Sequence, residues 1–265
     1  MRVSLLQIEV REQEAVPDRR ARVAELVRRQ RGSGLVVLPE LWHVGAFRFD
    51  AFADHAEPLD GPTARALGAA ARDAEVWLHG GSIVERAADG SLYNTSLLFA
   101  PDGERRRTYR KIHRFGFDRG EAALLSRGTE IVTARLPELE LTAGLATCYD
   151  LRFPEQFRQL VDAGAQLLVV PAGWPARRRA HWSLLARARA IESQAYVLAC
   201  NTAGTHAGVE QAGFSAVIDP WGEVLAEAGA GEEVLVADLD PRSVAAVRAE
   251  FPALRDRVLG LPEPA

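Results

Sequence analysis

Residues 139–170 read Leu139-Glu-Leu-Thr-Ala-Gly-Leu-Ala-Thr-Cys148-Tyr-Asp-Leu-Arg-Phe-Pro154-Glu-Gln-Phe-Arg-Gln-Leu-Val-Asp-Ala163-Gly-Ala-Gln166-Leu-Leu-Val-Val170. The first nine residues form an apolar run of strand length, and residues 166–170 form another. Between them, residues 154–163 have helical periodicity, with proline at the first position, where its missing N–H costs nothing. A strand–helix–strand unit with a cysteine directly after the first strand follows. The same grammar extends both ways. Residues 3–10 read as a strand, 18–31 as an amphipathic helix with Val23, Leu26 and Val27 on one face, and the wholly apolar residues 35–38 as a strand buried on both faces. Residues 62–73 read as a helix. Three strands follow in close order, 75–84, 93–100 and 106–110, the last two joined by a hairpin turn at Pro101-Asp-Gly103. Beyond the quoted stretch, a helix over 180–194 places Leu184, Leu185, Ala188 and Ile191 at helical spacing. Strands over 196–200, 213–218 and 232–239, a turn at Asp219-Pro-Trp-Gly222 and a helix over 241–250 complete the chain. Strands joined by helices, with hairpins interspersed, imply an α/β fold with a mixed sheet or pair of sheets under helices. No linker or repeat interrupts the pattern, so a single domain is expected over 1–265, with a core to about residue 250 and a proline-ended tail.

Bulk composition narrows the function. Of 265 residues, 48% are hydrophobic and 26% charged, a mix that supports a substantial core. A net charge of −4 gives no general reason to bind nucleic acid or an anionic membrane. No apolar run approaches the roughly 20 residues that span a bilayer. The N-terminus lacks a secretory signal, so a cytoplasmic location is expected. Two cysteines are too few for a disulfide framework or a zinc cage. No His-x-x-x-His pair with an adjacent glutamate occurs either, and neither metal nor cofactor is expected. Among 32 basic residues only Lys111 is lysine. That lone survivor of an arginine bias points to a position where a broad planar head would not serve.

In open α/β folds, ligands bind beyond the carboxyl ends of strands. Glu40 follows 35–38, Lys111 follows 106–110, Cys148 follows 139–147, and Pro171-Ala-Gly-Trp174 follows 166–170. A strand-end cysteine is usually a small buried hydrophobe, which is how Cys200 reads. The three reactive types together complete one reaction, however. A thiolate attacks a carbonyl or nitrile carbon, a carboxylate takes the thiol proton and later activates water, and an ammonium lowers the thiol pKa and stabilises the oxyanion. None of the six histidines stands in a motif that favours it as an alternative base.

Three blocks, Leu38-Pro-Glu-Leu41, Tyr109-Arg-Lys-Ile-His113 and Cys148-Tyr-Asp-Leu-Arg-Phe-Pro-Glu155, together resemble the nitrilase, or carbon–nitrogen hydrolase, superfamily. Ala180-His-Trp182, Ala188-Arg-Ala-Ile-Glu192 and Asp219-Pro-Trp-Gly222 extend the resemblance over nearly the whole chain. It implies a four-layer α-β-β-α sandwich, a Glu40–Lys111–Cys148 catalytic set, and usually a homodimer that extends the sandwich. Members carry a second glutamate after the lysine, for which Glu121 is the best match. The implied oxyanion hole is the Lys111 ammonium with the backbone N–H of Tyr149. The implied reaction is hydrolysis of a small-molecule amide to acid and ammonia through a thioester. Among the branches, the chain looks most like the omega-amidases, which act on monoamides of 2-oxo acids such as 2-oxoglutaramate. Such a substrate carries a carboxylate, for which Arg114, Arg177, Arg178 and Arg179 are candidates, with His181 nearby. Phe115, Phe117 and Trp174 are candidates for an apolar wall. A nitrilase, an aliphatic amidase, an N-carbamoyl hydrolase or an N-acyltransferase would share the same three residues. A nucleotide-binding α/β protein would need a glycine-rich turn after an early strand, whereas Gly32-Ser-Gly34 precedes its strand.

Overall fold

The computed structural model describes residues 1–117 and 119–259. Its elements run β1 (Arg2–Gln7), α1 (Val16–Arg28), β2 (Leu35–Val37), α2 (Pro62–Ala74), β3 (Trp77–Arg86), β4 (Leu92–Phe99), β5 (Arg105–Arg110), α3 (Glu121–Leu124), β6 (Thr133–Leu136) and β7 (Leu141–Leu145). They continue with α4 (Pro154–Asp162), β8 (Leu167–Ala172), α5 (Arg179–Ser193), β9 (Tyr196–Asn201), β10 (Thr205–His206), β11 (Val209–Glu210), β12 (Ala216–Ile218), β13 (Val224–Glu227), β14 (Glu233–Asp238) and α6 (Ser243–Glu250). Two six-stranded sheets result, ordered β14-β1-β2-β3-β4-β5 and β13-β12-β9-β8-β7-β6. Each has three parallel central strands flanked by antiparallel ones: β1, β2 and β3 in the first sheet, β7, β8 and β9 in the second.

Alternation along the strands sets the layers. Val3, Leu5, Leu35 and Val37 turn inward to meet Leu145, Leu167, Val169 and Leu198 of the other sheet. Leu6, Val36 and Leu38 face outward against Val23 and Val27 of α1 and Leu67 and Ala71 of α2. On the far side, Leu168, Val170 and Val197 face Phe157 and Leu160 of α4 and Trp182, Ala186 and Ala190 of α5. The outcome is a single-domain α-β-β-α sandwich with every central strand buried on both faces, which is why those strands read as unbroken apolar runs. Among the described residues no helix is long and apolar enough to cross a membrane. The tail expected to 265 lies outside the described residues beyond 259.

Besides the two-residue strands β10 and β11, which the sequence reading did not place, two features differ from it. The stretch before β7 holds an additional strand, β6, and β13 follows the Asp219–Gly222 turn. Both are four-residue edge strands of the second sheet, and β13 is largely exposed, so neither stands out as a buried strand. The helix α5 also turns the other way. It buries Trp182, Ala186, Arg189, Ala190 and Ser193, while Leu184 is 69% exposed and Ile191 53%. Small residues bring this helix close to the sheet, and Arg189 enters with them because its guanidinium donates to the Leu151 carbonyl at 2.8 and 3.1 Å.

Candidate active site

Four strand ends converge at one edge of the sandwich. Glu40 stands three residues beyond β2, on a segment pressed against a bulge of β3. Gly81 makes that approach possible: at φ +66° an added Cβ would lie 1.9 Å from the Pro39 carbonyl oxygen, so only glycine fits there. The Leu41 N–H donates to Ser82 Oγ at 3.1 Å, and Trp42 Nε1 donates to the Gly80 carbonyl at 2.9 Å, fixing the segment on both sides of the glycine. Lys111 is the first residue after β5, and its N–H continues the strand pairing to the Asn94 carbonyl at 2.8 Å.

Cys148 opens a 3-10 turn (Cys148–Arg152) after β7, with φ +48°, a strained value for a residue with a Cβ. Asp150 holds that turn. Its carboxylate accepts from the Thr147 N–H at 2.8 Å, the Tyr109 hydroxyl at 2.6 Å and the His113 N–H at 3.0 Å, with His113 Nδ1 a further 2.8 Å contact. His113 in turn stacks on Phe153 with ring centroids 3.7 Å apart. The strained cysteine is thus fixed by a fully buried, fully satisfied carboxylate.

At the centre, Lys111 Nζ donates to Glu40 Oε1 at 2.7 Å and to Glu121 Oε2 at 2.8 Å. Asn94 Nδ2 of β4 donates to Glu40 Oε1 and Glu121 Oε1, each at 2.8 Å. The Gly173 N–H donates to Glu40 Oε2 and the Phe115 N–H to Glu121 Oε2, both at 2.9 Å. Lys111 is 1% exposed. Burial disfavours its ammonium, but the Glu121 and Glu40 carboxylates outweigh that and hold its pKa well above the usual lysine value. Burial, then the charge of Glu40, raises the Glu121 carboxyl, against the pull of Lys111. The Cys148 thiol is also driven well above its ordinary range by burial first and Glu40 next, despite the lowering effect of Lys111. This corrects the expectation that the ammonium would lower the thiol pKa: Cys148 is 8% exposed, and burial with Glu40 outweighs Lys111. A thiol of that kind needs a base at the moment of attack, and a carboxylate stands beside it.

The cleft above these groups holds about 420 Å³ of empty space, and Leu41, Ala46, Phe47, Phe49, Phe115 and Trp174 give it apolar walls. Tyr149 lines it too, next to Cys148. Of the arginines considered, Arg178 lines the cleft and Arg177 does not; Arg177 is exposed, because the 3-10 turn Ala176–Arg178 points consecutive residues in different directions. Arg152 is a second guanidinium at the cleft. His181 lies outside the lining, its Nδ1 3.3 Å from Arg152 Nη2. Arg114 is turned away as well: it donates to the Ala122 and Leu125 carbonyls at 3.0 and 2.6 Å and so ties down the segment bearing Glu121. Arg179 packs over Phe214, and Phe117 is 81% exposed rather than part of the wall. Asn94, the Gly173 N–H, Phe47, Phe49 and Arg152 were not singled out from the sequence. The one available signal was an amide inside a strand that is otherwise buried. Among the described residues, no group of three or more His, Cys, Asp or Glu side chains could hold a metal ion.

A buried thiol, a carboxylate, an ammonium and a cleft are what cleavage of an amide carbon–nitrogen bond requires. Comparison with known proteins agrees. The family model described as carbon-nitrogen hydrolase matches residues 2–249. A 2-oxoglutaramate amidase of Paenarthrobacter nicotinovorans is 42% identical over 260 residues, covering 96% of this chain and 88% of the relative. A carbon–nitrogen hydrolase superfamily protein of Xanthomonas campestris, solved with an arsenic adduct in its active site, superposes with a TM-score of 0.90 at 31% identity, covering 99% and 98% of the two chains. A mutant amidase of Nesterenkonia sp. AN1, with the acetamide moiety of fluoroacetamide attached to its active-site cysteine, superposes with a TM-score of 0.84 at 26% identity, covering 97% and 93%. The chain belongs to the carbon-nitrogen hydrolase family and is an amide-hydrolysing enzyme.

Proposed function

We propose that the enzyme is an omega-amidase, hydrolysing the terminal carboxamide of a small 2-oxo acid monoamide to the acid and ammonia. The observation that carries this reading is the pair Arg152 and Arg178. Both line the cleft above Cys148, and among the described residues neither forms an ion pair with a carboxylate. Arg178 lies over the Phe115 ring at 5.0 Å and Arg152 over Trp174 at 4.7 Å. Two guanidinium groups, braced on aromatic walls and without an acidic partner, suit a substrate that brings its own carboxylate. The 2-oxoglutaramate amidase at 42% identity supports the same substrate class.

In this reading Glu40 accepts the Cys148 proton as sulfur attacks the amide carbon. The oxyanion is met by the Lys111 ammonium and the Tyr149 N–H. Glu121, bound to Lys111, holds the ammonium in place. Collapse of the tetrahedral intermediate breaks the carbon–nitrogen bond, the proton passes from Glu40 to the leaving nitrogen, and ammonia departs from a Cys148 thioester. Glu40 then takes a proton from water as it attacks the thioester, the carboxylic acid leaves, and the thiol is restored. The Arg152–Arg178 pair fixes the far end of the substrate so that its amide meets the sulfur.

The test is ammonia release from 2-oxoglutaramate, 2-oxosuccinamate, glutamine, an N-carbamoyl amino acid, an uncharged aliphatic amide and two nitriles. Wild type, Cys148→Ala and Arg178→Gln are compared. The oxo acid amides should be the preferred substrates, and Cys148→Ala should abolish release. Arg178→Gln should cost the carboxylate substrates about 10- to 100-fold in kcat/KM, the worth of about 1.5–3 kcal/mol for a hydrogen bond to a charged group. The uncharged amide should change less than about threefold. Preference for the uncharged amide, or an equal loss on both, would reject the carboxylate reading.

The enzyme acts as a homodimer in this reading, supported by the outward apolar face of α5 at Leu184 and Ile191. A reducing cytoplasm suits two unpaired cysteines, and cell fractionation tests that location.

A further inference from the structure

Asn94 is 2% exposed and lies where the two carboxylates of the site meet. Its backbone already serves the sheet, pairing with Val84 and accepting from the Lys111 N–H at 2.8 Å. The side chain is therefore free for another task. Both Nδ2 hydrogens are used, one on Glu40 Oε1 and one on Glu121 Oε1. The orientation of the amide is fixed by this surrounding, since a carbonyl turned toward two carboxylates would be repelled. The consequence is that Asn94 Oδ1 is buried with no donor among the described residues. A residue kept only to fill space would not carry that cost, which a hydroxyl or an apolar side chain avoids.

Counting donors shows what the amide achieves. A carboxylate oxygen offers two lone-pair directions. Glu40 Oε1 has both occupied, by Lys111 and Asn94, whereas Oε2 receives a single N–H donor among the described residues, that of Gly173. Glu121 accepts on both oxygens, from Asn94 on one and from Lys111 and the Phe115 N–H on the other. One lysine thus serves two carboxylates, and the amide adds one donor to each without adding a charge. We propose that Asn94 is a positioning residue that clamps Glu40 and Glu121 around Lys111, keeping both as carboxylates and leaving Glu40 Oε2 as the atom that receives the Cys148 proton. This rests on the reading of Glu40 as the base. The acceptor is set by exclusion: with Oε1 filled, the thiol proton passes to Oε2.

The experiment compares Asn94→Asp and Asn94→Ala with wild type by two readouts. One is kcat and KM for the oxo acid amide as a function of pH. The other is the rate at which iodoacetamide alkylates Cys148 across the same pH range, read by mass spectrometry without any substrate. Asn94→Asp is isosteric and puts a third carboxyl against two others, so the cluster must take up a proton. The expected result is a fall in kcat of about 10- to 100-fold with KM within about threefold. The acidic limb of both profiles should move to higher pH by about a unit or more. Asn94→Ala should lower kcat and alkylation similarly, and it decides the matter if the aspartate variant does not fold. Variants that fold and keep the wild-type alkylation profile would overturn the proposal, as would a loss of kcat that tracks melting temperature while the limb stays put. Alkylation needs no amide substrate, so a wild-type enzyme that ignores the oxo acid amides while its Asn94 variants shift the limb would reject the substrate reading and sustain this one.

Discussion

Lowering the pH from 8 to 5 should unfold much of the stability of this protein through three histidines that take no part in the chemistry. His43, His79 and His206 are fully buried, and none of their ring nitrogens has a hydrogen-bond partner among the described residues. Burial pushes His43 down to about 3, aided by His55, Arg19 and Arg20. Burial, against a raising effect of its own backbone, takes His79 to about 4, and burial with Arg19 and Arg48 takes His206 to about 4. The unfolded chain titrates these rings near 6.5. Between about 6.5 and 4 the unfolded state therefore binds protons that the folded state refuses. Stability is complete above the unfolded value and drains as pH falls toward the folded one. At pH 5 each ring costs about 2 kcal/mol, so the three cost about 6 kcal/mol, against a typical total of about 5–15 kcal/mol. Glu121 works in the opposite sense, because a carboxyl raised by burial and by Glu40 favours the folded state on the acid side. Urea unfolding at pH 8, 7, 6 and 5, followed by tryptophan fluorescence, should show the midpoint falling most between pH 6.5 and 5. His79 is the ring to remove: it shares the inward face of its sheet with its neighbours Val37 and Leu98 and has no charged partner. His79→Leu should recover about 2 kcal/mol of the loss. A stability that is level from pH 7 to 5, or a His79→Leu variant with the full acid loss, would refute the reasoning.

Gly173→Ala tests the donor to Glu40. An added Cβ would lie 2.4 Å from Ala46 Cβ, so either the cleft wall or the N–H bond to Glu40 must give. Overpacking of this kind costs about 1–3 kcal/mol, and kcat should fall by about tenfold or more while Cys148 stays alkylatable. The homodimer is tested at Leu184, 69% exposed on α5. Leu184→Glu should turn a dimer seen by sedimentation velocity into monomers, and a wild-type chain that sediments as a monomer would end that reading.

Glu40 and Cys148 were legible from their strands, Lys111 as the lone lysine at the end of an arginine-rich strand, and Glu121, at the start of α3, only through the family resemblance. Apolar runs mark buried parallel strands, and reactive side chains at their carboxyl ends must gather at one edge of the sandwich. Lys111 shows how far such a reading reaches. A lone lysine among arginines signals a place for a compact ammonium, and the structure gives it 1% exposure and two carboxylate oxygens at 2.7 and 2.8 Å. What was not legible depends on phase and on closeness. Arg177 and Arg178 are adjacent and alike, and only the pitch of the 3-10 turn at Ala176–Arg178 decides which faces the cleft. Along α5, the apolar stripe at Leu184 and Ile191 has the right period but the wrong side, because Arg189 found a carbonyl to bind and small residues let the helix sit close.

The direction of the thiol pKa shift escapes the sequence for a related reason. From the sequence, a lysine near a cysteine argues for a lowered thiol pKa, since the pair can be counted but its surroundings cannot. In the fold that ammonium is already committed to two carboxylates, so little of its charge is left to stabilise sulfur, while burial and Glu40 both oppose ionisation. A neutral thiol beside the Glu40 carboxyl group follows, and under the proposed mechanism proton transfer is part of the attack. This also explains why a second glutamate belongs in such a site. Glu121 engages Lys111 from the other side and shares Asn94 with Glu40, whose Oε1 accepts two donors and whose Oε2 accepts the Gly173 N–H. The chemistry therefore depends less on which residues are present than on how many donors each carboxylate oxygen has already received.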